Sequence, residues 1–140
     1  MTQNGNLRTK KVTEVVLILN QRPVSWQHAY IHRAFGKGKL IKFLSQKAKD
    51  YKAMVISTYK RDSNYSFKNE ELSCSVRLFL KGKRKLDIDN ATKLIFDSLN
   101  GYLYDDDSQI RELYIYKEHG CDEDKIVINF NSFINNKDNI

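Results

Sequence analysis

The stretch Asp87-Ile88-Asp89-Asn90-Ala91-Thr92-Lys93 sets two carboxylates on either side of one apolar residue, with an amine four positions after the second. A further acidic run, Asp105-Asp106-Asp107, follows beyond an apolar-periodic segment. Carboxylates that converge repel one another, so at least one takes up a proton more readily than a lone aspartate does. A hard divalent cation removes that penalty and prefers oxygen ligands; magnesium needs only a few carboxylates and keeps several waters. Such a metal polarises a phosphodiester, activates a water and stabilises the leaving oxygen. Lys93 is placed to stabilise charge developing on the transition state. Spacing alone favours the plainer role, an ordinary pairing with Asp89 or, equally well, Asp97 on a helix. Asp89 also suits a helix N-cap. If residues 105–107 are extended, Asp105 and Asp107 share a face and Asp106 points away.

The elements that must position these groups are legible from periodicity. Val12 to Leu19 is rich in β-branched and aliphatic residues and predicts a strand. Residues 20–38 hold the only proline, Pro23, and the only tryptophan, Trp26, and predict a long loop. From Lys39, the spacing of Leu40, Leu44, Ala48, Tyr51 and Val55 predicts an amphipathic helix, broken by the polar residues 60–69. Leu72, Cys74, Val76, Leu78 and Leu80 alternate with other residues as a half-buried strand does. A basic loop (Lys81, Lys83, Arg84, Lys85) leads to a helix over 89–100, with Gly101 at its C-terminal stop. Ile110 to Lys117 and Lys125 to Phe130 predict two more strands, joined by a turn over 119–124. The acidic clusters converge if the chain returns along the helix and the strand from Ile110 runs beside the one ending at Leu80. The implied architecture is a single α/β (α+β) domain: a small mixed sheet flanked by two main helices.

Composition narrows the partners. The net charge is +7, with a pI near 9.4, which favours a polyanion: nucleic acid or an anionic membrane surface. No apolar run approaches a bilayer span, and residues 1–11 lack the apolar core of a signal peptide. The expected setting is cytoplasmic, with loose termini at 1–11 and 131–140. Cys74 and Cys121 are expected to be free thiols, Cys74 buried and inert.

The segment Leu86 to Ile110, LDIDNATKLIFDSLNGYLYDDDSQI, resembles the signature of the RusA-type Holliday-junction resolvases. Its elements are an Asp-x-Asp-Asn pair, a lysine four residues on, a helix ending near Asn-Gly, and Asp-Asp-Ser-Gln-Ile. The N-terminal half looks similar, except that Gln27 stands where that family's loop carries asparagine. The resemblance implies a RusA-like fold and a homodimer that cuts four-way DNA junctions by paired nicks, using magnesium or manganese. It implies Asp87, Asp89 and Asp107 as metal ligands and Lys93 as the catalytic lysine, with Asp106 the second choice at the last ligand. Lys81, Lys83, Arg84 and Lys85 lie nearby and are the expected DNA-backbone contacts. A C2 dimer suits a junction of approximate two-fold symmetry.

Two other classes share parts of this pattern. One is a basic nucleic-acid-binding module without catalysis; the other is a phosphodiesterase acting on other branched or single-stranded nucleic acid. His28 and His32 lack an accompanying cysteine or acid set and are expected in loop or surface roles, and His119 and Cys121 straddle Gly120 in a turn, too little for zinc. Tyr102, Leu103 and Tyr104 are expected to pack the core.

Overall fold

The computed structural model describes residues 13–36 and 38–134. The basic arm at 1–11 and the end of the polar tail, 135–140, lie outside the described residues. Strand β1 spans Glu14–Leu19 and buries Val15, Leu17 and Leu19 on alternate positions. Residues 20–38 are not one loop. They hold a 3₁₀ turn, Trp26–His28, and a strand β2, Tyr30–Phe35.

The predicted start of the first helix is corrected as well. Lys39–Leu44 is strand β3, which pairs antiparallel with β2 from Tyr30↔Leu44 to Phe35↔Lys39. Leu40 and Leu44 happened to fall on the helical period of the residues beyond them. Leu40 is in fact 70% exposed and belongs to no buried stripe. The helix α1, Gln46–Asp62, starts where Ser45 can cap it, its hydroxyl accepting from the Ala48 amide at 3.1 Å. Ala48, Tyr51, Val55 and Tyr59 form its buried face.

Strand β4 (Leu72–Lys81) is followed by one helical turn, α2 (Ile88–Ala91), and by α3 (Lys93–Leu99). The expected continuous helix is broken at Thr92, with φ −109° and ψ −21°. Strand β5 runs from Ile110 to Cys121 and β6 from Lys125 to Ser132. The turn is therefore shorter than expected, and the tail from Asn131 still carries ladder pairs to Glu14 and Ser73.

The main sheet has the order β1-β6-β4-β5 and is mixed; β2 and β3 form a second, two-stranded sheet. Among the described strands only β4 and β5 pair parallel, from Leu72↔Ile110 to Lys81↔Cys121. Parallel neighbours cannot be joined by a hairpin and need a crossover of a dozen or more residues. Here that crossover is the segment 82–109, which holds every acidic residue singled out above. Its helix α3 buries Leu94, Ile95, Phe96 and Leu99 beside α1, with Phe96 edge-to-face on Phe130 of β6. Tyr104 and Leu103 are fully buried, whereas Tyr102 is 38% exposed. Cys74 is buried as expected, and burial pushes its thiol far above the ordinary range.

Candidate active site

The crossover begins at Gly82, whose φ of +76° a side chain would resist, and turns the chain off the end of β4. Its backbone is then tied at three points. The Gly120 amide donates to the Gly82 carbonyl at 2.9 Å, Arg22 Nη2 to the Arg84 carbonyl at 3.0 Å, and Lys117 Nζ to the Leu86 carbonyl at 2.8 Å. Arg22 is itself set by Asp124, 3.7 Å away, whose carboxylate also accepts from the Lys81 amide. The side chains of Lys81, Lys83, Arg84 and Lys85 stay exposed on this braced loop.

Asp87 then precedes α2 as its N-cap residue, yet its carboxylate makes no capping hydrogen bond. It is exposed. Asp89 does not cap a helix; it lies in the first turn of α2, also exposed. Because the helix breaks at Thr92, Lys93 is not paired with Asp89. Its ammonium lies 3.1 Å from Asp97 Oδ1 and 3.6 Å from Asp107 Oδ2. With a carboxylate partner on each side, Lys93 bridges the crossover's helix and its acidic end.

The three neighbouring aspartates are distinguished by what holds them. Asp106 caps the 3₁₀ turn Asp107–Gln109, its Oδ2 accepting from the Ser108 amide at 3.1 Å. Gln109 Oε1 accepts from the amides of Asp105 and Asp106, both at 2.9 Å, and its Nε2 donates to the Glu70 carbonyl at 2.8 Å. The reciprocal arrangement of Asp106 and Gln109 is a capping box, a D-x-x-Q signal present in the sequence. Asp105 and Asp106 remain exposed. Asp107 alone is partly buried, its amide donating to Asn100 Oδ1 at 2.9 Å. Burial pushes the Asp107 carboxyl up, Lys93 pulls it down, and the Asp97 and Asp106 carboxylates push it up again, for a net rise. Lys93 is pushed up, chiefly by its hydrogen bond to Asp97.

Trp26 completes the neighbourhood. Lys93 Nζ lies 5.5 Å from its ring centroid and Lys42 Nζ of β3 lies 5.6 Å away, while Tyr30 meets the ring edge-to-face at 4.9 Å. Trp26, Arg22, Asn100 and Lys117 carried no sequence signal of this kind, because each acts on a group distant along the chain.

The structure thus joins Lys93 to Asp107 and leaves Asp87 and Asp89 exposed around α2. Among the described residues, no three His, Cys, Asp or Glu side chains are gathered as a ready-made metal cage. The donors suit a hard dication in kind, being carboxylate oxygens, and magnesium is often held by only one or two of them. The near contact of Asp97 and Asp107 is the like-charge crowding that a cation relieves.

No curated protein gives a match to the chain. Residues 21–130 match the family described as endodeoxyribonuclease RusA, a span that runs from the Arg22 brace through the whole crossover to Phe130 of β6. The match covers most of the chain and every residue placed at the site, so the chain belongs to the RusA endodeoxyribonuclease family.

Proposed function

We propose that the chain is a magnesium-dependent endodeoxyribonuclease, also served by manganese, that resolves four-way DNA junctions by paired symmetric nicks in recombination and repair. One observation carries the reading: Lys93 and Asp107, from separate parts of the motif, meet at 3.6 Å inside the crossover of a RusA-family chain. In this reading Asp87, Asp89 and Asp107 hold the metal. When bound, the ion supplies Lewis-acid activation of the phosphodiester and of an attacking water.

The chain's own residues do the remainder. Lys93 keeps a positive charge beside Asp107, where charge grows on the phosphoryl oxygens as the bond breaks. Asn100, by accepting from the Asp107 backbone, fixes the start of the 3₁₀ turn and so the direction of that carboxylate. Lys81, Lys83, Arg84 and Lys85 meet the DNA backbone, as an exposed basic loop beside the acidic pair is suited to do. A homodimer presents two such sites to opposed strands of a two-fold substrate.

The test is cleavage of a synthetic four-way junction, with linear duplex and single strands as controls, with and without magnesium. Paired symmetric nicks are expected, lost in Asp87→Asn, Asp89→Asn and Asp107→Asn. Junction binding by these variants is expected to stay the same or tighten, because each removes a negative charge facing phosphate. Cleavage of single strands with equal efficiency would replace the junction reading by a broader phosphodiesterase. Binding in all three variants and the parent with no cleavage under any metal would leave a binding module.

A further inference from the structure

One concave feature of the fold extends the basic loop and Asp87 toward residues of α1 and of the segment after β1. A groove of about 480 Å³ opens beside the braced loop, lined by Arg22, Lys47, Arg84, Lys85, the buried Leu86 and Asp87. Its cations come from three separate parts of the chain: the segment after β1, the first turn of α1, and the crossover loop.

Their charges are unevenly answered. Arg22 is occupied, facing Asp124 and donating to the Arg84 carbonyl, and its side chain is only 16% exposed. It is the brace of the wall. Lys47, Arg84 and Lys85 are exposed and make no ion pair among the described residues. Three unpaired cations around one concavity repel one another, and the low-dielectric wall strengthens the field in the groove. The single acid on the lining is Asp87, where the groove reaches the acidic motif.

We propose that this groove is a phosphodiester-backbone site, seating the strand next to the scissile phosphate, with Lys47 of α1 as a contact. The proposal rests on the reading of the chain as a nuclease with Asp87 at its centre. A backbone satisfies the geometry because it carries successive anions past several cations while leading into the acidic end. A compact anion would leave most of the groove unfilled. The loop at 22–27 thereby gains a role: Arg22, Ser25 and Gln27 line the groove, while Trp26 meets Lys93.

The test compares Lys47→Gln with Lys49→Gln by fluorescence anisotropy, on a labelled four-way junction and a labelled linear duplex, without divalent ions, across a salt series. Both lysines are exposed on α1, but only Lys47 lines the groove. Glutamine keeps a similar helix propensity, so both variants should melt with the parent. For Lys47→Gln the expected result is a three- to tenfold loss of affinity near 0.15 M salt. The slope of log affinity against log salt should fall by about one. Lys49→Gln should match the parent within twofold. Equal effects of the two substitutions would overturn the groove. A Lys47-specific slope change on duplex and junction alike, without junction preference, would uphold the groove and count against the junction reading alone. Junction-selective binding indifferent to Lys47 would do the reverse.

Discussion

Replacing Lys93 with methionine removes the charge that lies 3.1 Å from Asp97 and 3.6 Å from Asp107. In bulk water each contact would be worth about 1 kcal/mol, and several times more at the effective dielectric of a protein surface. The lysine side chain is 48% exposed, so solvent screening and ordering entropy bring each pair down to about 0.5 kcal/mol. The stability cost is therefore about 1 kcal/mol at most, a shift in Tm of roughly 4 °C for a domain this size. An electrostatic role in the transition state predicts something much larger: a rate loss of about 10²- to 10³-fold. The assay is single-turnover cleavage of a four-way junction at saturating enzyme with magnesium, alongside a thermal melt and a binding titration. Asp97→Asn is the companion variant: it removes the nearer ion pair but keeps the ammonium, and should cost less than about tenfold in rate. A Lys93→Met rate loss below tenfold would refute the catalytic role and leave Lys93 as a structural tie. So would a loss fully accounted for by weaker binding.

Other consequences concern the residues around Lys93 and the core. Trp26→Leu removes a ring shared by Lys93 and Lys42 and should slow cleavage about three- to tenfold, with Trp26→Phe recovering part of it. As Trp26 is the sole tryptophan, its emission should also change on DNA binding; a silent titration would place the DNA elsewhere. Tyr51 and Tyr104 are both buried, but only the Tyr104 hydroxyl has a well-formed partner, the Phe96 carbonyl at 2.8 Å. Urea melts should therefore show Tyr104→Phe destabilised by about 1 kcal/mol and Tyr51→Phe unchanged or slightly stabilised. A thiol reagent should modify Cys121 in the native protein and reach Cys74 only after denaturation; native reaction at both would contradict the packing of β4.

Alternation along β4 was readable because a strand buried on one face shows its period directly: Leu72, Cys74, Val76, Leu78 and Leu80 are all buried. The same logic misled at 39–44, where Leu40 and Leu44 extended a helical period by coincidence. A β-hairpin that buries little leaves a weak pattern, and its pairing with residues 30–35 is not visible from either strand alone. The break at Thr92 was hidden for a related reason, since the apolar residues on both sides keep a common stripe.

From its sequence alone this chain discloses a family, a basic loop, an acid pair and an acidic run, because each is a local string. It also contains, as a D-x-x-Q string, the capping box that occupies Asp106. What tertiary structure decided is the difference between three adjacent, chemically identical aspartates. Gln109 and Ser108 hold the segment so that Asp105 and Asp106 face solvent, while Asn100 and Lys93 draw Asp107 inward. Those partners lie across a helix and a turn, and side-chain environment is set by contacts in space, which no one-residue spacing encodes. The parallel pairing of β4 with β5 is the fold-level cause: it obliges the chain to cross over, and the crossover brings Lys93 to Asp107.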